Sequence, residues 1–402
     1  MTANTAKNVL LIVFDYMGYA DLEPFGESEI RTPNIGKLAQ QGRRYTQCYA
    51  PAPICCPSRA ALMTGYYPRR LGIERNIEHD EPGLQVSRTS LARYFKTAGF
   101  RTALYGKWHL GYGADDSPNA HGFDDFLGFH EWNVDYYSHK TRAGADALYH
   151  NGDLVTREGY TTDLFTDAAL SFVAEPTGEP FFLYVAYNGM LPPYSPPGRS
   201  AAAPETDSWQ NGPRSDYVAA VEHLDHSVGR LLDALEDQGL ADDTLVVLTY
   251  DHGGGEMATK GPFFHGFGTL WEGGIRVPMI LRWPAGLTVG EVASQPTILM
   301  DVTATVLAAA GLKPDGPLDG IDLLREEAIT RPLFWRIDLP GEGEGWPARR
   351  QRAVRRGQWK YLWDGFEFLY DLERDPGERQ NLGYRYPEIL AELRALSKSD
   401  WA

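Results

Sequence analysis

The segment richest in chemistry begins at Cys55 and reads Cys-Cys-Pro-Ser-Arg-Ala-Ala-Leu-Met-Thr-Gly. Pro57 has a fixed φ that suits the first turn of a helix, and Ser58 can bond the free backbone N–H groups of that turn. Good helix formers follow until Gly65, which favours a C-terminal stop. Cys55 is therefore expected at a helix N-terminus, which favours anions, and Arg59 adds a planar cation suited to sulfate or phosphate oxygens. The alternative is a buried cysteine before an ordinary capped helix.

Two runs typical of buried strands are followed at once by acidic or histidine side chains: Asp15 after Val9–Phe14, and Asp251 and His252 after Leu245–Tyr250. In open parallel sheets, ligands bind at the carboxyl ends of the strands, so these side chains are expected along one edge. Taken singly, each aspartate is as well explained by a helix cap or a loop charge, and His252 by a hydrogen-bonded loop residue. Together, and beside Cys55, they favour a site for a divalent metal.

The elements that must position these residues alternate between short apolar runs and helical patterns. Further strands are predicted at Ala103–Tyr105, Phe181–Ala186 and Met279–Leu281. The clearest helix is predicted from Ser215 to Leu240, because aliphatic residues recur at helical spacing and Gly239 lies near its end. This alternation predicts an α/β fold with a mostly parallel sheet covered by helices.

Beyond about Asp322 the pattern changes. Residues 355–361 and 367–372 are typical of hairpin strands, and Tyr386–Ser397 is typical of a terminal helix. We therefore predict a catalytic α/β domain over residues 1–322 and a small C-terminal α+β domain over residues 323–402. A chain of 402 residues also exceeds the usual size of a single core, which favours two domains.

Composition excludes several classes of protein. A formal net charge of −16 argues against binding nucleic acid or an anionic membrane by bulk electrostatics. Three cysteines, Cys48, Cys55 and Cys56, do not make a disulfide framework. The apolar run after the N-terminus is too short for a signal sequence, and no stretch is long enough to span a bilayer. The chain is expected to be cytoplasmic unless a leader was trimmed from it.

The chain resembles the sulfatase branch of the alkaline-phosphatase-like superfamily. The Cys55 segment fits the family pattern Cys-x-Pro-Ser-Arg-x-x-x-x-Thr-Gly. Similar family segments cover nearly the whole chain: Asp15–Leu22 in the first metal loop, Gly106–Gly111 in the Gly-Lys-Trp-His-Leu-Gly signature, Trp271–Pro278, and Leu369–Leu372 with Asp375, Pro376, Asn381 and Leu382.

The resemblance implies that a formylglycine-generating enzyme converts Cys55, rather than Cys56, because Pro57 follows the modified residue by two positions. Hydration of the aldehyde supplies a nucleophilic oxygen that also binds the metal with Asp15, Asp251 and His252. Arg59, Lys107 and His109 surround this group. Lys107 offsets negative charge, and His109 moves a proton during breakdown of the covalent hemiacetal ester. Without the resemblance, Lys107 and His109 would be taken for a surface pair at a strand end.

Departures from the family pattern fall in two places. Tyr16 replaces the second aspartate of the usual pair, and His252 replaces the usual asparagine. The resulting set is similar to that of phosphonate monoester hydrolases, phosphodiesterases and choline sulfatases. A nitrogen ligand moves the preference from Ca²⁺ toward Mn²⁺ or Zn²⁺. Leu191 stands where a leaving-group histidine is common, and Phe267 where a sulfate-binding lysine is common.

The residues near these two positions that are candidates to contact the substrate instead are His265, Lys260 and Asn188. The sequence thus predicts a formylglycine-dependent hydrolase of a small sulfate ester, assisted by one divalent ion. A phosphonate monoester or phosphodiester hydrolase is the alternative within the same class. A superfamily member that no longer hydrolyses sulfate esters is the alternative from another class, and is favoured by Leu191 and Phe267.

Overall fold

The computed structural model describes residues 5–198, 212–325, 331–341 and 348–398. Its strands are β1 Asn8–Phe14, β2 Arg43–Tyr49, β3 Arg101–Lys107, β4 Asp125–Phe129, β5 Tyr149–His150, β6 Asp153–Leu154, β7 Phe181–Ala186, β8 Thr244–Tyr250, β9 Arg276–Arg282, β10 Glu291–Ala293, β11 Thr297–Ile298, β12 Leu333–Leu339, β13 Arg349–Arg356, β14 Trp359–Trp363 and β15 Glu367–Asp371. Its α-helices are α1 Pro33–Gln40, α2 Cys55–Thr64, α3 Pro68–Leu71, α4 Leu91–Thr97, α5 Thr161–Ala174, α6 Arg214–Asp237, α7 Glu272–Ile275, α8 Met300–Ala309 and α9 Pro387–Leu396. Three short 3₁₀ helices cover Tyr19–Asp21, Glu23–Phe25 and Ala114–Asp116.

The central sheet has the order β10-β2-β9-β8-β1-β7-β3-β4-β5-β6, and β11 pairs with β2. Its middle strands β8, β1, β7, β3 and β4 run parallel. Every residue of β1, β7 and β8 is buried, as expected for parallel strands covered on both faces. Because these strands are parallel, their carboxyl ends meet along one edge. The predicted α/β class is confirmed.

The predicted strand at Phe181–Ala186 has the bounds of β7, and the other predicted strands lie inside β1, β3, β8 and β9. Helix α6 covers most of the predicted Ser215–Leu240 helix. The sequence did not predict β2 or β4. Strand β2 contains no apolar run, since several of its side chains are charged or polar and only half-buried.

The C-terminal sheet is antiparallel, in the order β12-β13-β14-β15. The prediction of a single strand over residues 355–361 is wrong, because this stretch contains the end of β13, a turn and the start of β14. Gly357 has φ +57° in that turn, a conformation that glycine adopts without strain. The terminal helix is confirmed as α9, while the division of the chain near Asp322 stays a prediction.

Buried charges join the C-terminal sheet to the segment before β9. Lys360 Nζ lies 2.9 Å from Glu272 Oε1 and 2.8 Å from Glu378 Oε1, with all three side chains inaccessible or nearly so. Arg276 forms a second ion pair with Glu272 at 3.2 Å. Removing one partner of a buried pair is strongly destabilising, so this junction holds α7 and the loop that precedes it in place.

Within the part of the chain that the structure describes, no helix combines the length and the apolar character needed to cross a bilayer. Cys48, Cys55 and Cys56 are all buried free thiols. The expected lack of a disulfide framework therefore holds for these three residues.

Candidate active site

Cys55 is the first residue of α2, and all ten residues of this helix are buried. The helix ends at Gly65, whose φ of +78° gives the left-handed cap that the sequence predicted. The expectation that Ser58 caps the first turn is wrong. Its hydroxyl instead donates to the Asp251 carbonyl at 2.5 Å, and the Asn76 side chain accepts from the backbone N–H of Cys56 at 3.2 Å.

At the edge of the sheet, Asp15 and Asp251 each have one carboxylate oxygen bonded to buried cations. Asp15 follows β1 and Asp251 follows β8, and Arg59 reaches both from α2. Its Nε donates to Asp251 Oδ2 at 2.8 Å and its terminal nitrogen to Asp15 Oδ2 at 3.0 Å. Lys107, the last residue of β3, donates to the same Asp15 oxygen at 2.6 Å. These four side chains are at most 1% exposed, so the network is shielded from water.

The other oxygen of each aspartate faces a different group of atoms. His252 Nε2 lies 3.3 Å from Asp15 Oδ1, 3.5 Å from Asp251 Oδ1 and 3.1 Å from Cys55 Sγ. These four donor atoms all lie within 4.8 Å of one another. Asp251 Oδ1 is buried and has no hydrogen-bond partner. A buried carboxylate oxygen without a partner is costly, and a divalent ion at this point would satisfy it. The donor set therefore fits a metal.

The orientation of His252 agrees with that role. A proton on Nδ1 donates to the Gly253 carbonyl at 3.0 Å and directs Nε2 toward the cluster. Burial opposes a charged imidazole, yet Asp251 and Cys55 raise the pKa of His252 well above its usual value, so a metal ion at this point would displace a proton from Nε2. Burial likewise opposes ionisation of Asp15, but Lys107, His252 and Arg59 hold its pKa well below the usual range. Burial and the Asp15 charge raise the pKa of Asp251. The cluster thus attracts positive charge.

Lys107 and His109 lie beside the donor cluster. Lys107 Nζ lies 3.2 Å from Cys55 Sγ. His109 is 2% exposed, and its Nδ1 is buried without a hydrogen-bond partner. Burial first, then the charges of Lys107 and Arg59, lower the pKa of His109 well below 6.5. His109 is therefore a neutral imidazole, and its Nδ1 is available for a new hydrogen bond.

Cys56 has a different environment from its neighbour. It is fully buried, and its thiol donates to the His109 carbonyl at 2.9 Å and accepts from the Ile77 N–H at 3.4 Å. Burial raises the pKa of this thiol to about 12. Cys56 therefore packs the helix against the strand-end loop that carries His109, and Cys55 alone joins the donor cluster.

Two aromatic rings lie beside His252. Phe267 has ring-centre distances of 4.7 Å to both His252 and Tyr16. Tyr16 lies edge-on to His252 at 6.2 Å. Burial and Tyr194 raise the pKa of the Tyr16 phenol, so it stays neutral. A Cβ on Gly255 would lie 2.4 Å from the Tyr16 ring, which explains why a glycine stands there. We call Tyr16 and Phe267 the aromatic wall.

The structure places Asn188 and His265, which the sequence predicts to contact the substrate, against residues outside the donor cluster. Asn188 follows β7, is fully buried, donates to Asn133 Oδ1 at 3.0 Å and accepts from Thr161 at 3.4 Å. His265 is exposed, and its ring lies 4.2 Å from that of Phe264 and 5.4 Å from that of Trp271. Their predicted roles at the substrate stay predictions.

Leu191 and Lys260 complete this group. Leu191 is 3% exposed, and its carbonyl accepts from the Tyr136 hydroxyl at 2.8 Å. Lys260 is half-buried, and burial lowers its pKa. A Cβ on Gly266 would lie 3.3 Å from Lys260 Nζ, so the lysine runs along the loop that leads to Phe267.

Sequence reasoning missed two features of this edge. Glu131 follows β4, is 8% exposed, and has a pKa raised by burial. It was missed because β4 was not predicted. Gly189 packs directly on Asp15, where a Cβ would lie 2.2 Å from the Asp15 carbonyl oxygen, and the adjacent Met190 N–H donates to that oxygen at 3.0 Å. The Asn-Gly pair after β7 was the available signal for this turn.

Comparison with known proteins agrees with this geometry. Residues 7–312 match the family model described as Sulfatase. Human N-acetylgalactosamine-6-sulfatase is 30% identical over 97% of this chain and 84% of its own length. The crystal structure of Ps i-CgsB superposes with a TM-score of 0.87 at 30% identity, over 97% of this chain and 92% of that one.

A phosphonate monoester hydrolase of Agrobacterium radiobacter shares the fold, with a TM-score of 0.71 at 22% identity over 97% of this chain and 96% of that chain. The family match spans most of the chain, and the 30% identical relative is covered over most of its length. The chain therefore belongs to the sulfatase family and is a sulfuric ester hydrolase.

Proposed function

We propose that this enzyme hydrolyses sulfate esters with a formylglycine formed from Cys55 and one divalent metal ion. The observation that carries the proposal is the convergence of Cys55, Asp15, Asp251 and His252 on one point, with Lys107 beside the sulfur. A formylglycine-generating enzyme is the maturation partner that this requires. The substrate is a small anionic ester, and we propose a sulfated sugar.

The proposed substrate class is supported by the relatives. One is named N-acetylgalactosamine-6-sulfatase, and the structure of Ps i-CgsB has also been solved in complex with k-i-k-neocarrahexaose. Both descriptions name a sugar, and both proteins are 30% identical to this chain over 97% of the chain's length. The cytoplasmic location expected from the sequence stays a prediction.

The nucleophile and the metal supply the chemistry that unmodified side chains lack. Hydrated formylglycine at position 55 supplies a nucleophilic hydroxyl group. A divalent ion held by Asp15 Oδ1, Asp251 Oδ1 and His252 Nε2 would stabilise negative charge on the ester oxygens. Oxygen and nitrogen donors of this kind suit Ca²⁺, Mn²⁺ or Zn²⁺, and the imidazole favours the latter two.

The chain's own residues position and move charge around that nucleophile. Arg59 donates its N–H groups to Asp15, Asp251 and the Lys107 carbonyl. We therefore assign Arg59 to positioning the metal ligands rather than to binding the ester. Lys107, 3.2 Å from the Cys55 sulfur, offsets negative charge at position 55. Neutral His109 accepts a proton from the hydroxyl at position 55 when the sulfate group leaves.

A second activity, hydrolysis of phosphonate monoesters or phosphodiesters, is favoured by the aromatic wall. These esters carry a second organic group on phosphorus where a sulfate ester carries a bare oxygen. Phe267, 4.7 Å from His252, offers an apolar surface beside the metal ligands instead of a cation. We expect Phe267→Ala to weaken hydrolysis of such esters more than hydrolysis of an aryl sulfate.

The test of the proposed function has two parts. The mass of the tryptic peptide that contains residue 55 shows whether the cysteine is converted. Converted protein is then assayed on matched nitrophenyl sulfate, phosphodiester and phosphonate esters and on sulfated monosaccharides. We expect the sulfates to have the highest kcat/KM. Full activity with an unmodified Cys55 thiol, or activity on phosphorus esters alone, would contradict the proposal.

A further inference from the structure

We propose that the unconverted protein, in which Cys55 is still a thiol, is itself a metal-binding protein for soft tetrahedral ions such as Zn²⁺ or Cd²⁺. In this form the Cys55 thiolate is the fourth ligand beside Asp15, Asp251 and His252. The proposal concerns the form of residue 55 that precedes conversion, and it does not rest on the hydrolytic function.

Four of the six distances between the donor atoms are close to those of a tetrahedral site. Tetrahedral zinc with sulfur, nitrogen and oxygen ligands places its donors about 3.3–3.7 Å apart, as its bond lengths require. Cys55 Sγ lies 3.1 Å from His252 Nε2 and 3.8 Å from Asp15 Oδ1. His252 Nε2 lies 3.3 Å from Asp15 Oδ1 and 3.5 Å from Asp251 Oδ1. These four distances lie within about 0.5 Å of tetrahedral values, and all four donor atoms lie within 4.8 Å of one another.

The surrounding cations bond to one carboxylate oxygen of each aspartate and leave the other oxygen for the metal. Arg59 and Lys107 bind the Oδ2 atom of Asp15, and Arg59 binds the Oδ2 atom of Asp251. Both Oδ1 atoms are left facing Cys55 and His252, and Asp251 Oδ1 has no hydrogen-bond partner. This buried, unpaired oxygen is an observation independent of the cysteine, and it points to the same ligand.

Cys55 is the first residue of α2, and Lys107 Nζ lies 3.2 Å from its sulfur. Metal binding replaces the thiol proton with the metal ion and releases the proton to solvent, so no oxidant or reductant is involved.

The consequence is a change of metal preference on maturation. Four protein ligands close the site in the manner of a structural zinc site, without the open position that catalysis needs. Conversion of Cys55 replaces a soft sulfur donor with oxygen, and oxygen donors suit harder ions such as Mn²⁺ and Ca²⁺. The unconverted protein is therefore expected to hold a different ion from the mature enzyme.

The experiment uses full-length protein produced without a formylglycine-generating enzyme, with the thiol at residue 55 verified by peptide mass. Metal-free protein is titrated with Co²⁺ and then with Zn²⁺. We expect a near-ultraviolet sulfur-to-cobalt charge-transfer band that saturates at one equivalent and is displaced by Zn²⁺. Cys55→Ser should lose the band and bind Zn²⁺ more than about 10-fold more weakly. Removing a group that only hydrogen-bonds to a metal ligand already lowers metal affinity by about 10-fold or more. Cys56→Ser, the matched control, should keep both.

Thermal unfolding of each metal-free variant checks that the fold is retained, and His252→Gln provides a second variant in which the thiol is kept. It should weaken Zn²⁺ binding by a similar factor. Cd²⁺ and Mn²⁺ affinities are measured in the same way for the thiol form and the converted form. The proposal would be overturned by an unchanged band in Cys55→Ser or by equal loss of the band in Cys56→Ser. It would also be overturned if the thiol form did not prefer Cd²⁺ over Mn²⁺ more strongly than the converted form does. Activity of the converted enzyme is a separate measurement, so failure of one proposal leaves the other intact.

Discussion

The surroundings of Cys55 and of His252 are built on different principles. Around Cys55, the charged side chains of Asp15, Arg59 and Lys107 are buried and bonded to one another. Beside His252 lies the aromatic wall of Tyr16 and Phe267. The first group, the nucleophile side, is thus built from buried charges, and the second, which the sequence predicts to be the substrate side, presents apolar surface.

This difference separates what the reaction requires from what the substrate requires. A nucleophile next to a metal needs compensating charges at fixed distances, whatever the ester. The contacts to the leaving group and to the ester oxygens depend on the substrate, so they can change while the fold is kept. We therefore expect substitutions on the nucleophile side to abolish turnover, and those on the substrate side to change the ranking of substrates.

The largest expected effect is at the two adjacent cysteines. Cys55→Ala removes the precursor of the nucleophile and should abolish turnover. Cys56→Ala removes two weak hydrogen bonds, to the His109 carbonyl and from the Ile77 N–H, and a small buried volume, and should leave most of the turnover. Both are measured as kcat on an aryl sulfate after full conversion is verified by mass. Equal loss in the two variants would contradict the assignment of Cys55.

Loss of the metal should follow substitution of Asp251. Asp251→Ala removes the unpaired Oδ1 donor and leaves Arg59 without one of its buried partners, so metal and activity should be lost together. Metal content is measured by elemental analysis of the purified protein. Tyr16→Phe is the matched control, because a neutral phenol is not a strong ligand, and it should keep a full equivalent. An Asp251→Ala variant with a full equivalent of metal would refute the ligand set.

His109 should set the acidic limit of the reaction. Because its pKa is lowered well below 6.5, it stays neutral and basic as pH falls through that value. The rate should therefore hold below the pH at which an ordinary histidine is protonated, and His109→Ala should lower kcat about 10²–10⁴-fold. The measurement is kcat against pH. A fall in rate centred at an ordinary histidine pKa would argue against this role.

The same lowered pKa affects stability with a definite sign. A group that is harder to protonate in the folded state favours unfolding as pH falls below its unfolded pKa. The wild type should therefore lose free energy of unfolding as pH falls below 6.5, and His109→Gln should lose less. Denaturant unfolding at a series of pH values measures this difference.

How far the site was predictable follows from where each residue lies on the chain. Asp15, Asp251 and Lys107 stand at the ends of strands that read as apolar runs, so their common edge follows from a parallel sheet. Cys55 and Arg59 lie within one helix whose limits the sequence marks. The strands β2 and β4 were missed because polar residues or short length hide them, and with β4 the position of Glu131 was missed.

The substrate side could not be predicted to the same depth, because its residues come from loops. The pairing of Phe267 with Tyr16 joins positions far apart in sequence, and no local pattern records it. The bonds of Asn188 to Asn133 and Thr161 are likewise set by tertiary packing. The role of Ser58 was misjudged for the same reason, since its partner is the Asp251 carbonyl rather than its own helix.

The smallest expected effect is at His265, the sequence-based candidate for the acid that replaces the histidine absent at Leu191. An acid must be protonated before it can donate, and burial followed by the charge of Arg349 lowers the pKa of His265. If His265 protonates the leaving group, its contribution must therefore grow as pH falls. His265→Ala should slow an alkyl sulfate more than a nitrophenyl sulfate, whose leaving group needs little help, and the gap should widen toward acidic pH.

The control for this effect is Phe264→Ala, which removes the ring that packs on His265 but leaves the imidazole in place. It should change both esters by the same small factor at every pH, because it removes no ionisable group. A ratio of alkyl to aryl rates that is independent of pH in His265→Ala would remove this histidine from the mechanism. Protonation of the leaving group would then fall to another residue of the strand edge, and Glu131, a carboxyl whose pKa burial raises, is the group to substitute next.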